Sequence, residues 1–326
     1  MSLCHFLTSD FSFLTTHKTE SILETMKIID AHAHAFETLT GFGADGELRA
    51  IGDGKGIWAT GKEQKIVPDG YGDKSFTIES LWSLVEKSDV EKIVLMQGGF
   101  LGFANEYVAA SIKKYPGRVQ GAGTFDPWCR NSKEIFDYLI NGLKFKIFKF
   151  EVSTGCGIMG SHPDFPLDMP MMMDIYKRIE SIGGVVVFDL GSPGDGSHQA
   201  EAIKNIAAEC KSLPVVVCHL GSFKLGHEAI FSKEIEVMNR ENIFFDLAAL
   251  YWKVRPEEYP FPTAQHYVKE AKRVVGVDRL MWGSDAPSTV CKLSYDKQIE
   301  YIAECFAEKE RESVFYNNAN KLYFGL

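Results

Sequence analysis

Eight short, strongly apolar runs alternate along this chain with stretches of helical periodicity, and that alternation limits its fold more than any other feature. The runs fall at 27–34, 92–97, 119–125, 145–151, 184–190, 214–220, 243–249 and 280–285. Segments such as Val185-Val186-Val187-Phe188 and Val215-Val216-Val217-Cys218 carry no polar alternation, as expected of parallel strands covered on both faces. Helix-like segments at 77–87, 104–114, 132–141, 170–181, 198–211, 226–240 and 263–275 separate the runs. Repeated strand and helix over about 300 residues predicts the α/β class and a single (β/α)8 TIM barrel. A doubly wound open sheet is disfavoured, because no Gly-x-Gly-x-x-Gly or phosphate-loop pattern follows the first run. With 326 residues, 45% of them apolar, one barrel can bury a full core and no second domain is needed.

Two segments fall outside the alternation. Residues 1–25 are Ser/Thr-rich, with neither a basic start nor a continuous apolar stretch, and read as an N-terminal arm or extension before a barrel at 26–326. Residues 36–75 form a long insertion after the first strand, with nine glycines and little periodicity. Long loops in compact domains are commonly functional, so it reads as a lid or recognition loop in which Trp58, Lys62 and Tyr71 can meet a substrate.

In such a barrel, reactive side chains sit at the C-terminal ends of the strands. Those ends supply His32 and His34, then Lys149 with Glu151, then Asp189, His219, Asp246 and Asp285. Two histidines one residue apart on a strand share a face and can reach one metal ion. Burying this many polar groups costs several kcal/mol unless they bind one another or a metal. Lys149 suits a substrate carboxylate or an ion pair with Glu151, and Asp246 reads as structural. His162 and His198 lie in turn-rich segments after strands four and five and are weaker substrate contacts.

Net charge excludes some partners. Thirty-five basic residues against 44 acidic ones give −9, which argues against nucleic-acid binding. Seven cysteines without a Cys-x-x-Cys pair suggest reduced thiols in a cytoplasmic protein. No apolar run approaches the roughly 18 residues of a membrane span, so the expected partner is a small-molecule substrate.

Lys27-Ile28-Ile29-Asp30-Ala31-His32-Ala33-His34 resembles the opening of the amidohydrolase superfamily, and Met281-Trp282-Gly283-Ser284-Asp285-Ala286-Pro287 resembles its eighth-strand signature. Val215-Val216-Val217-Cys218-His219-Leu220-Gly221 and the closing Tyr316-Asn317-Asn318-Ala319-Asn320 are similar to the branch that contains aminocarboxymuconate-semialdehyde decarboxylase. The resemblance implies a metal-dependent hydrolase acting on a small, carboxylated substrate. One divalent ion, Zn²⁺ or Mn²⁺, is then held by His32, His34, Asp189 and Asp285. Asp189 stands where that branch usually has a histidine, which favours a harder ion. Asp285 takes the proton of an activated water, and His219 protonates the leaving group or holds an oxyanion. Decarboxylase, hydratase and metal-free lactonase chemistry remain alternatives on the same barrel, as does a non-catalytic binding protein. The resemblance and the apolar Trp252, Tyr259 and Phe261 are compatible with a homodimer.

Overall fold

The computed structural model describes residues 26–326; the arm expected at 1–25 lies outside the described residues. The strands, in chain order, are β1 (Ile28–Ala33), β2 (Thr40–Gly43), β3 (Gly46–Gly52), β4 (Lys55–Trp58), β5 (Glu63–Lys65), β6 (Val90–Leu95), β7 (Val119–Gly123), β8 (Ile147–Glu151), β9 (Val185–Asp189), β10 (Val215–Val217), β11 (Ile243–Asp246) and β12 (Leu280–Met281). One sheet runs β1-β6-β7-β8-β9-β10-β11-β12, and its neighbours pair in parallel. Backbone bonds close it into a barrel: Ala31 N–H donates to Trp282 O at 3.1 Å, Asp285 N–H to His32 O at 2.7 Å and His34 N–H to Ala286 O at 2.8 Å. This is the TIM barrel that the alternation predicts.

The period of two sorts the side chains. Ile147, Val185, Val187, Val216 and Met281 share an interior cluster, whereas Phe148, Phe150, Val186, Phe188 and Phe245 pack outward with the helices. Strands β8 and β9 pair Glu151 with Asp189 and Lys149 with Val187. The same alternation that buries Ile147 and Val185 therefore carries Lys149, Glu151 and Asp189 into the C-terminal mouth. At the opposite end, Ala319, Leu322 and Tyr323 of the final helix join the interior cluster.

The insertion differs from expectation. Residues 40–65 form a second, antiparallel sheet of order β2-β3-β4-β5 rather than an irregular loop. Its strands are three to seven residues long, too short for alternation to stand out among glycines. Asp53 and Gly54 both have positive φ (52° and 65°) at the turn between β3 and β4, the geometry that matches strand twist in a tight hairpin.

Closure depends on one buried carboxylate. Asp30, fully buried in β1, accepts from Ser284 N–H at 2.9 Å, Ser284 Oγ–H at 2.6 Å, Tyr295 O–H at 2.7 Å and His32 N–H at 3.2 Å. Burial pushes its pKa up to about 6 in spite of those four donors. Asp30→Ala strands buried donors, each worth about 1–3 kcal/mol. The expected result is a loss of about 2–4 kcal/mol in urea unfolding; an unchanged midpoint would show that Asp30 does not hold the seam.

Candidate active site

A cavity of about 380 Å³ opens at the C-terminal mouth, with His34, Lys149, Glu151, Asp189, His219 and Asp285 in its walls. Its floor is set by Asp246, which is 1% exposed. This carboxylate accepts from His32 Nδ1–H at 2.9 Å, from His219 N–H at 2.8 Å and from Ala248 N–H at 3.1 Å. One side chain on β11 thereby orients imidazoles from β1 and from the end of β10. Hydrogen bonding to both histidines keeps Asp246 below the usual carboxylate range although burial opposes it.

Those bonds fix the proton positions. His32 donates through Nδ1, and burial with the nearby Lys149 ammonium lowers its pKa to about 4, so Nε2 carries a free lone pair at neutral pH. His34 is also lowered, chiefly by burial, and its Nε2–H donates to Asp285 Oδ1 at 3.0 Å. His219 donates Nδ1–H to Ala248 O at 2.9 Å, while its Nε2 lies 3.3 Å from Asp189 Oδ2. Burial disfavours charge on His219, but Asp189 outweighs it and raises the pKa. Asp189 is correspondingly held well below the carboxylate range.

Backbone strain marks the same positions. His219 and Asp285 have φ of 55° and 58°, the left-handed region that costs a non-glycine residue about 1–2 kcal/mol. The bonds His219 N–H to Asp246 and Asp285 N–H to His32 O hold them there. Burial opposes the Asp285 charge, yet the His34 bond and the neighbouring imidazoles hold its pKa far below the usual value. It is an ionised acceptor throughout the neutral range.

Donor atoms of His32, His219 and Asp285 lie within 4.8 Å of one another. Free imidazole nitrogens beside an ionised carboxylate suit a divalent ion, and the buried Nδ1 of His34 has no partner among the described residues. The lone pair of His32 and the Asp285 carboxylate fit Zn²⁺ or Mn²⁺; His219 lies within the same reach, but its Nε2 is engaged by Asp189. A second cluster, His32 with Cys218 and Asp246, already satisfies itself through the His32–Asp246 bond.

Lys149 is 2% exposed, and its ammonium has only a long 3.4 Å contact to His32 Nε2. Burial lowers its pKa, but surrounding acidic groups including Asp189, Glu151 and Asp285 raise it overall, so it stays charged. Lys224 and Lys253 line the same cavity, and among the described residues no carboxylate lies within 4 Å of any of these three ammonium groups.

Three sequence candidates sit elsewhere. Trp58 is 5% exposed, buried in the core beneath the insertion, and does not line the cavity. His162 bonds Asp126 at 2.7 Å and stacks on Trp128. His198 lies 3.3 Å from Gly191 O through Nδ1 and packs edge-on to Phe223. Their positions in loops gave no direction for the side chains. Neither Lys62 nor Tyr71 lines the cavity, whereas Gln64 of the insertion does. Sequence reading missed Lys224 and Lys253; both follow strand ends by a few residues, so searching the loops as well as the strand termini would have found them.

The Amidohydrolase family profile matches residues 29–325. Solved structures similar to this chain include a probable 2-pyrone-4,6-dicarboxylic acid hydrolase from Acinetobacter baumannii with citric acid bound, at 20% identity over 92% of this chain and 100% of that one, TM-score 0.66. An amidohydrolase from Burkholderia multivorans with bound zinc matches at 13% identity over 91% and 99%, TM-score 0.64. The 5-carboxyvanillate decarboxylase from Sphingomonas paucimobilis matches at 14% identity over 74% and 81%, TM-score 0.55. No curated protein sequence matches. At these identities the structural likenesses show the fold, and the family match over almost the whole barrel shows the lineage: this chain belongs to the amidohydrolase family.

Proposed function

We propose that this protein is a hydrolase that cleaves a C–O or C–N bond in a small carboxylated substrate. The observation that carries the reading is the meeting of His32, His219 and Asp285 within 4.8 Å in a cavity lined by three lysines without carboxylate partners. Similarity to a probable dicarboxylic acid hydrolase supports the substrate class, and six free cysteines among the described residues suit a reducing cytoplasm.

Each residue then has a role. Lys149, Lys224 and Lys253 hold the substrate carboxylate, and Lys149, being buried, fixes the end nearest His32. Asp285, ionised and anchored by His34, accepts the proton of the attacking water. His219, charged through its pair with Asp189, donates Nε2–H to the departing oxygen or nitrogen. Asp246 keeps both imidazoles in register without touching the substrate. A divalent ion held by His32, His34 and Asp285 would supply Lewis acidity that brings the pKa of water towards about 7, leaving His219 free for its proton-donor role.

A screen of carboxylated lactones, esters and amides tests the reading. Hydrolysis of at least one is expected, with Asp285→Asn lowering kcat by about 10²- to 10⁴-fold while circular dichroism stays unchanged. No turnover of any member, with or without added zinc or manganese, sinks it. Calorimetric titration with zinc is expected to show one site, weakened about 10- to 100-fold or more in His32→Ala; equal affinity in the two proteins removes the ion.

The acid role carries a pH signature. Asp189 raises the His219 pKa, so the proton donor persists to higher pH than a free imidazole allows and is lost as pH rises through that raised value. In Asp189→Asn the alkaline limb of kcat/KM should move to lower pH. An unmoved limb assigns the acid elsewhere.

A further inference from the structure

Beside the polar cavity lies a second one of about 270 Å³, walled by Phe42, Phe103, Ile158, Glu151 and Cys156 and by the backbone of Gly99. Glu151 and Cys156 belong to both cavities, so the two lobes meet at the end of β8. The second lobe exists because the insertion packs tightly onto the barrel. A side chain at Gly99 would strike Cys156 O at 1.9 Å and Phe42 O at 2.8 Å, and one at Gly98 would strike Glu151 Oε2 at 1.9 Å. Glycine at both positions lets β2 descend over the mouth and leaves room for the Glu151 carboxyl, which accepts from Phe100 N–H at 3.3 Å.

Two aromatic side chains at this lobe remain open to solvent: Phe42 is 57% exposed and Phe103 46%. Apolar surface gathered beside a catalytic cavity marks a ligand contact more often than an idle patch. The cations divide the same way, since Lys149, Lys224 and Lys253 all line the polar lobe and none lines the other, whose charged lining residues, Asp126 and Glu151, are both acidic. Resting on the carboxylate reading above, we infer that the apolar lobe under β2 receives a hydrocarbon or aromatic arm of the substrate, so that the substrate bends round Glu151 with its carboxylate among the lysines. Burial raises the Glu151 pKa to about 7, which suits a residue facing an apolar neighbour on one side.

Butanoate, hexanoate and octanoate, titrated calorimetrically into the full-length protein, test this. Affinity should rise about two- to fourfold per added methylene, the gain expected for a chain leaving water. Ile158→Trp fills the lobe and should flatten the series, with butanoate, the shortest member, as the internal reference. Phe103→Asp is the second variant; Phe103 is half exposed, so the fold tolerates it, and it too should flatten the series. Lys253→Ala should weaken every member alike. Octanoate binding no tighter than butanoate, or an undiminished slope in both variants, overturns the lobe and leaves the carboxylate reading standing. A slope that disappears in Ile158→Trp while Lys253→Ala changes nothing retains the lobe and overturns the carboxylate reading. If no member binds, both fall.

Discussion

The site depends on a single buried carboxylate that reinforces the seam between the first strand and the last. A barrel closes only where β1 meets the segment after β12, and that seam is short, since β12 has two residues. Asp30 compensates with four hydrogen bonds into Ser284, Tyr295 and the backbone of His32. Bonds of that kind also determine where the next residues go. His32 follows Asp30 by two positions and Asp285 follows Ser284 by one, so the group that seals the barrel sets the separation between His32 and Asp285.

Asp246 does the same for the opposite wall. By taking one imidazole N–H and two backbone N–H groups, it turns His32 so that Nε2 lies towards Lys149 and Asp285 and keeps His219 in a left-handed conformation. The two imidazoles stack at 4.9 Å, yet their pKa values move in opposite directions: burial and Lys149 lower that of His32, while Asp189 outweighs burial and raises that of His219. Environments that push neighbouring groups apart are what acid–base chemistry requires. Two aspartates, Asp246 buried and Asp189 in the cavity wall, thus create the difference between the two imidazoles.

The barrel was legible in the sequence because both faces of its strands are apolar, and runs such as Val215-Val216-Val217 have few other uses. His32, His219 and Asp285 were legible because strand ends point into the mouth by geometry alone. Asp30 was harder to read, since its role depends on Ser284 and Tyr295, more than 250 residues away. The insertion hid a sheet because four short strands with glycine at the turns lose the alternation that reveals longer ones. Trp58 was misplaced for the same reason: without the register of β4 nothing shows that its side chain faces the core. Lys224 and Lys253 were missed because they lie beyond the strand ends, where the direction of a side chain is decided by loops.

The balance of charge also bears on the reaction. Asp189 faces His219 and Asp285 bonds His34, so neither carboxylate is paired with any of the three lysines. Decarboxylation gains from a carboxylate placed in apolar surroundings, where its charge is poorly stabilised before the bond breaks. Here a carboxylate would sit among ammonium groups, which stabilise it in the ground state and would slow loss of carbon dioxide. Hydrolysis gains from the same contacts, because the carboxylate serves as a handle that survives the reaction and positions the bond between Asp285 and His219. The lysines are therefore the feature on which the proposed hydrolysis, rather than decarboxylation, rests.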